Sequence, residues 1–337
     1  MYAKNTELNK IDTRYELLLL TSVVLLIFMN TTIIQGYVLA ANSTSNLTAP
    51  SNNISSTNVL ASIKNQKLDA SILPTLNASV QKVAKNGTLE INKTQIPIKY
   101  DKVGNLPIFE DDIILTRSNE KAAVDKFITS HPWTNGTIPV GIHPDLQNKE
   151  RVINALSYVM STTPIKFKPI ELDANNKPVD HNYIVFIPHP EKCSSNVGMV
   201  GGPQAITVAD WCQPGNLVHE IGHLLGLWHE QTRCDRDQYV TVEKDNIKPD
   251  WLSQFSALCD PNNPNSEDSP TSFGKYDYCS IMHYPGFSNT AAIDPTKPVI
   301  TPTHPVVGCK QIGQREAYSQ GDLNAIFNIY SLTSTQK

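Results

Sequence analysis

The stretch His219-Glu220-Ile221-Gly222-His223-Leu224-Leu225-Gly226-Leu227-Trp228-His229-Glu230 leaves this chain few folds to choose from. Residues four apart on a helix share a face, one turn above the other, so His219 and His223 aim at one point. Glu220 projects from the same turn and can reach a water held there. Gly226 lets the backbone leave the helix with a positive φ that a Cβ would penalise, and the turn brings His229 back to the same point. Three neutral imidazoles and one open position form the ligand set of a catalytic zinc site, not of a closed structural one. An amphipathic core helix would explain Leu217, Val218, Ile221, Leu224 and Leu225, but not three histidines and a glycine at fixed offsets.

A second landmark lies some fifty residues on, at Tyr276-Asp277-Tyr278-Cys279-Ser280-Ile281-Met282-His283-Tyr284. Zinc peptidases with an extended histidine motif carry a methionine turn beneath the metal. Met282 suits that place, since a soft thioether packs well under imidazole rings. With these motifs, with Gln231-Thr232-Arg233-Cys234-Asp235-Arg236-Asp237-Gln238-Tyr239-Val240 after the third histidine, and with Ile312-Gly313-Gln314-Arg315 and Ser319-x-x-Asp322 near the end, the sequence resembles the astacins, a family of metzincin zinc endopeptidases. The resemblance covers about residues 125 to 332.

The resemblance implies an α+β fold, the two-subdomain metzincin or zincin-like module. A twisted, mostly parallel sheet with helices lies N-terminal to the cleft, and a loop-rich C-terminal half ends in a helix. It implies one Zn2+ per chain on His219, His223 and His229, with Glu220 as general base and then acid. Tyr284 matches the tyrosine that ligates zinc at rest and swings out to bind the oxyanion, with Met282 as the structural methionine. Astacin precursors carry a Phe-x-Gly-Asp motif whose aspartate occupies the open zinc position. Phe109-Glu110-Asp111-Asp112 matches it with Asp112 as the latch, although Asp111 replaces the glycine. Removal of the latch requires a cut between about Arg117 and Val124, with Arg117 and Lys121 as candidate sites. The new N-terminal amine is then expected against Glu230, a buried carboxylate that needs such a partner. In the family the strand matching Gln204 to Val208 is an exposed edge that pairs with substrate.

Six cysteines, all in the catalytic module, point to an oxidising compartment. Cys193 and Cys212 match one family disulfide. The family's other bridge joins positions that here are Pro164 and Leu332, so both partners are missing together. Cys234 follows the third histidine and Cys279 precedes the methionine turn. Both are expected near the metal, which suggests Cys234–Cys279 and Cys259–Cys309.

Upstream, residues 1–41 combine a polar start bearing Lys4, Lys10 and Arg14 with an apolar run and the small-residue site Val38-Leu39-Ala40-Ala41. They read as a signal peptide, with an uncleaved membrane anchor as the rival. Residues 42–95 are rich in Ser, Thr and Asn, carry sequons at Asn42, Asn46, Asn53, Asn77, Asn86 and Asn92, and suggest a glycosylated flexible linker or pro-region. Another sequon lies at Asn135. Residues 96–123 form the inhibitory end of the pro-region, and residues 124–337 the peptidase domain. Within it, apolar spacing predicts a helix over 146–160, strands over 165–170 and 183–187, an active-site helix capped by Asn216, and a last helix over 320–330 capped by Ser319.

The expected function is a secreted or surface-attached zinc metalloendopeptidase, made as a latent precursor, that hydrolyses internal bonds of protein or peptide substrates. Its net charge of −4 suggests no nucleic-acid partner. A monomer is expected, touching a membrane only through its N-terminal segment. Two alternatives are a non-catalytic extracellular adhesion protein on a protease fold, which predicts a damaged ligand or base, and a structural metal domain, which needs a permanent fourth ligand.

Overall fold

In the computed structural model, residues 56–69, 72–74, 82–91, 94–118, 125–128, 131–259 and 273–331 are described. The signal or anchor segment, the sequons at Asn42, Asn46, Asn53, Asn77 and Asn92, and Lys121 and Val124 lie outside them. Helices and sheets are mixed. No helix among the described residues is long and apolar enough to cross a membrane.

Three largely apolar strands, β7 (Thr137–Ile142), β9 (Tyr183–Pro188) and β10 (Pro203–Val208), and the short edge strand β8 (Lys166–Pro169) form a four-stranded sheet. Its order is β10-β9-β7-β8, and every pairing is parallel. Parallel strands need crossovers, and helix α2 (Glu150–Thr162) supplies the one between β7 and β8. Val152, Ala155, Leu156 and Val159 of α2 share a core with Ile138, Val140, Ile184, Phe186 and Ile206 of the sheet. Helix α3 (Pro214–Leu224), which carries the histidines, packs Leu217, Val218, Ile221 and Leu224 into that core. Helix α4 (Gln320–Ser331) closes it through Ala325, Ile326 and Tyr330.

Helix α3 begins at Pro214, earlier than a cap at Asn216 implies. Proline has no N–H to lose in the first turn, so it fits the first helical position. Asn216 instead sits in the third and accepts the N–H of Gln213 at 3.0 Å. The next residue, Gly215, lies so close to the second half of the chain that an added Cβ would stand 1.7 Å from the Arg315 carbonyl oxygen. Gly215→Ala should therefore cost at least about 3 kcal/mol, because backbone and not a flexible side chain must move. Urea unfolding of the variant checks this.

Residues 42–95 are not structureless throughout, as their composition suggests. Helix α1 (Ser56–Asn65) buries Leu60 and Ile63 in the main core, and β1 (Lys82–Ile91) pairs antiparallel with β2 (Thr94–Val103). With β3 (Leu106–Phe109), β4 (Ile113–Ile114), β5 (Thr116–Arg117) and β6 (Asp125–Ile128) they form a six-stranded sheet ordered β4-β3-β2-β1-β6-β5. A short ladder of β11 (Val240–Val242) and β12 (Ile300–Pro302) braces the loop-rich second half.

The structure joins Cys193–Cys212, Cys234–Cys259 and Cys279–Cys309, with Cα separations of 6.3, 5.2 and 5.6 Å. The last two correct the expected Cys234–Cys279 and Cys259–Cys309 pairs. Nearness to one metal does not bring two Cβ atoms within the roughly 4 Å a bridge needs. Backbone pairing decides instead. Leu258 donates to the Thr232 carbonyl at 2.7 Å, which lays Cys259 beside Cys234. The Cys279 sulfur lies beside Gly308, next to Cys309.

Candidate active site

Helix α3 ends as the spacing predicts. Gly226 has φ +108°, Leu227 N–H bonds back to the Gly222 carbonyl at 3.0 Å, and Gly226 N–H bonds to that of His223 at 2.8 Å. This six-to-one and five-to-two pairing closes the helix and turns the chain toward His229. The turn also fixes a ligand, since the His223 Nδ1–H donates to the Leu227 carbonyl at 2.8 Å.

His219 Nδ1–H donates likewise to the Ile281 carbonyl at 2.8 Å. A carbonyl oxygen can only accept, so both rings carry their proton on Nδ1 and a lone pair on Nε2. His229 Nδ1 meets the Glu110 carboxylate at 2.7 Å. The three Nε2 atoms then converge, with His229 at 3.2 Å from His223 and 3.4 Å from His219. Such range needs a cation or a shared proton between the lone pairs. Against burial, the Asp112 and Glu110 carboxylates raise His229 to about 9, and a bound metal ion would displace that proton. Tetrahedral zinc with Zn–N bonds of about 2.0–2.1 Å places its ligands about 3.3–3.4 Å apart, which matches. Burial disfavours the charged ring and holds His219 well below, and His223 below, the ordinary histidine range, in the neutral form a ligand needs.

Asp112 supplies a fourth ligand atom, and the four lie within 4.8 Å of one another. Its Oδ2 is 3.2 Å from His219 Nε2 and its Oδ1 is 3.2 Å from His229 Nε2. That Oδ1 is buried with no hydrogen-bond partner, as is Oε2 of Glu220. Two orphaned carboxylate oxygens beside three convergent lone pairs fit a divalent cation of zinc's kind. Burial, followed by the nearby Asp112 charge, pushes Glu220 well above the usual carboxylate range, so it readily holds a proton.

Asp112 reaches the histidines through a tight turn in which Glu110 and Asp111 both have positive φ, 49° and 67°. Aspartate tolerates this conformation where most residues do not, so it can stand in the glycine position of the Phe-x-Gly-Asp pattern. Its carboxylate forms an ion pair with Lys192. Glu110 is fully buried, and its importance escapes the sequence reading. Burial pushes its carboxyl up to about 7, against its bond to His229. One signal could have exposed it: a ligating histidine needs an acceptor for its second nitrogen. The Glu110 carbonyl also accepts the Tyr284 hydroxyl at 2.5 Å. Asp112 thus stands with the three histidines in a group that could hold a metal ion, while the same turn occupies the Tyr284 hydroxyl.

Beyond this turn, residues 112–114 run along the cleft and make one parallel bridge, Ile113 to Ser195. Ser195 N–H donates to the Asp112 carbonyl at 2.9 Å, and Ile114 N–H to that of Ser195 at 2.8 Å. This corrects the expectation that Gln204 to Val208 offers the free edge. Strand β10 ends the sheet, but Ser194 and Thr207 exchange backbone bonds of 3.3 and 2.9 Å across its outer side. The pairing edge is therefore residues 194–196. The cleft of about 730 Å³ is lined by His219, Glu220, Lys192, Trp211, Tyr284 and Arg315, among others. A larger cavity of about 1130 Å³, between β1–β2 and residues 249–258, includes none of the histidines.

Met282 is buried under α3, where an added Cβ at Gly222 would stand 2.7 Å from its sulfur. Asp322 holds this turn. Its carboxylate accepts the Ser280 hydroxyl at 2.6 Å, the Ile281 N–H at 2.9 Å and the Ser319 N–H at 2.9 Å. The Ser319 hydroxyl accepts the Asp322 N–H at 2.9 Å, so the Ser-x-x-Asp pattern is a capping box that also anchors the turn. Glu230 accepts the Asp277 N–H at 2.7 Å and lies near Arg233. Burial nonetheless pushes it up to about 8, which marks a carboxylate short of cationic partners.

His283 faces away from the ligands. It accepts the Tyr276 hydroxyl at 2.7 Å and donates to the Tyr284 carbonyl at 2.6 Å. Burial depresses it to about 4. Between about 6.5 and 4 the unfolded chain takes up this proton and the folded chain does not, so stability falls as pH falls through that window. The expected contribution is about 3 kcal/mol, and His283→Gln, which keeps one donor and one acceptor, should flatten it. Urea midpoints of both proteins between pH 7 and 4 provide the check.

The family model described as Astacin, a family of peptidases, matches residues 127–331. Tolloid-like protein 1 of Mus musculus is 34% identical over 64% of this chain and 21% of its own length. Zinc metalloproteinase nas-36 of Brugia malayi is 34% identical over 55% of this chain and 29% of its own. Nematocyst expressed protein 6 of Nematostella vectensis is 29% identical over 65% and 75%. The chain thus spans about a fifth of the Tolloid-like relatives it matches. Among solved structures, the hatching enzyme zinc-protease HCE-1 of Oryzias latipes matches 60% of this chain and 94% of its own, at 29% identity and a TM-score of 0.48.

Proposed function

The chain belongs to the astacin family of peptidases, and on that footing we propose that it is a zinc-dependent endopeptidase made as a latent precursor. The carrying observation is the convergence of three imidazole Nε2 atoms whose Nδ1 atoms are all tied to acceptors. We assign one Zn2+ to His219, His223 and His229, with Asp112 as the precursor's fourth ligand. When bound, zinc supplies Lewis-acid activation of water and of the scissile carbonyl. Glu220 takes the proton from the attacking water and hands it to the leaving amine; its raised pKa suits both steps. Tyr284, once the Glu110 carbonyl is gone, has a free hydroxyl to donate to the developing oxyanion. Residues 194–196 offer backbone groups that align an extended peptide, and the bonds they make to residues 112–114 support that role.

The pro-region blocks these functions together: Asp112 covers the metal, Glu110 holds Tyr284 and His229, and residues 112–114 fill the pairing edge. The two walls of the cleft, the parallel-sheet half and the loop-rich half, serve as its two subdomains. Three disulfides support a site outside the cytoplasm, secreted or anchored through residues 1–41.

The test is to process the precursor, count metal per chain, and follow hydrolysis of a quenched peptide library. Activity should vanish with 1,10-phenanthroline and return with one equivalent of zinc. A processed protein that holds zinc and cuts nothing would instead be a structural metal domain.

A further inference from the structure

The inhibitory turn is one place where the N-terminal residues meet the module, and helix α1 with the residues just after it forms another, of different character. Helix α1 sends Leu60 and Ile63 into the main core, and Ile63 is fully buried. Just past the helix, the Gln66 side chain copies a strand's ladder pair at the end of β8: its amide donates to the Ile170 carbonyl, and the Ile170 N–H donates to its oxygen at 3.3 Å. Leu68 seats directly on the backbone of β7 at Gly141, where an added Cβ would lie 2.5 Å from Leu68 and 2.9 Å from Ile170. The Tyr183 hydroxyl donates to the Ile72 carbonyl at 2.9 Å, and Lys64 pairs with Glu150 of α2.

Beneath Leu68 and Ile72 lie Ile170, Tyr183, Val185, Ile187 and Ala205, all buried in one cluster with them. These five belong to β9, β10 and the end of β8. Without the N-terminal residues they would form an open apolar face of the kind monomers rarely leave to water. No residue in these contacts lines the metal cleft. Unblocking the cleft and uncovering the sheet are therefore separate events.

We propose that the segment carrying Leu60, Ile63, Leu68 and Ile72 is a permanent part of the folded peptidase: after the chain is cut between Arg117 and Val124, it remains docked as a noncovalent second piece, with Leu60 and Ile63 in the main core and Leu68 and Ile72 on the outer face of the parallel sheet. The active protein is then a two-piece assembly in which residues 110–112 have left the metal. The inference rests on the latent-precursor reading only for the cut; the docking is read without reference to activity.

The experiment is to cut purified full-length precursor in that stretch, then run size exclusion at about 1 μM and native mass spectrometry alongside a peptide-hydrolysis assay. The expected result is one-to-one co-elution of the N-terminal fragment with the catalytic piece, with hydrolysis switched on. Leu68→Asp combined with Ile72→Asp should release the fragment on cutting and lower the catalytic piece's Tm by at least about 5 °C. If that variant fails to fold, a protease site inserted within residues 75–80 lets the wild-type segment be challenged after folding, and it should still co-elute. Loss of the wild-type fragment during the run, with the catalytic piece keeping the precursor's Tm, overturns the proposal. Retention without hydrolysis would sink the peptidase reading and leave the docking intact.

Discussion

Glu220→Gln will keep its zinc and lose about a thousandfold or more of kcat/KM, the size of effect a positioned general base supplies. Glutamine has nearly the shape of glutamate, and Glu220 forms none of the bonds that fix the histidines; those go to Ile281, Leu227 and Glu110. Metal content should therefore stay at one per chain. The loss should fall on kcat, because an amide can still sit beside a water but cannot take its proton. Burial and Asp112 raise the Glu220 carboxyl in the precursor, and loss of Asp112 on processing removes one of those two pushes. The carboxyl is then raised less in the active form than in the precursor, which eases its role as the group that accepts the proton. Steady-state kinetics with metal analysis decides the matter. A variant with full activity would move the base elsewhere, and one without zinc would make Glu220 a structural residue.

The second large effect is the opposite in sign. Asp112→Ala should make the uncut precursor hydrolyse peptides at least about a hundredfold faster than wild-type precursor in which processing is blocked by Arg117→Ala and Lys121→Ala. Burial opposes the Asp112 charge, but the neighbouring His229 outweighs it, and the carboxyl is held well below its usual range. Asp112 is thus an anion at any working pH and competes with water for the metal. Its removal should not give full activity. The Glu110 carbonyl still holds the Tyr284 hydroxyl, and residues 113–114 still pair at the cleft edge. The variant should therefore gain further rate when it is cut. An uncut variant as silent as wild type would mean that strand pairing alone closes the cleft.

The sequence made the metal helix legible because ligand chemistry dictates spacing, and spacing survives any change in the surrounding core. The strand from Tyr183 to Ile187 was legible because a parallel strand buried on both faces must be apolar along that length. Helix α1 and the β1–β2 hairpin were not. Their apolar residues, such as Leu60 and Ile63, are few and lie in Ser/Thr/Asn-rich chain, and what folds them is a distant surface that composition cannot show. The cysteine pairs went wrong for a related reason, since a bridge depends on Cβ positions that backbone pairing sets. Glu110 was passed over because a residue seen only as the variable position of a pattern carries no chemistry until its neighbour, a histidine 119 residues away, is in view.

Cys193–Cys212 staples the wall that carries the pairing edge, and the other two bridges close loops of the facing wall. None of the three spans the gap between the walls. No disulfide therefore limits how far the jaws gape; contacts such as the seat of Gly215 on Arg315 and of Met282 under α3 hold them together. A reductant would then loosen loops within each jaw without breaking any link between them.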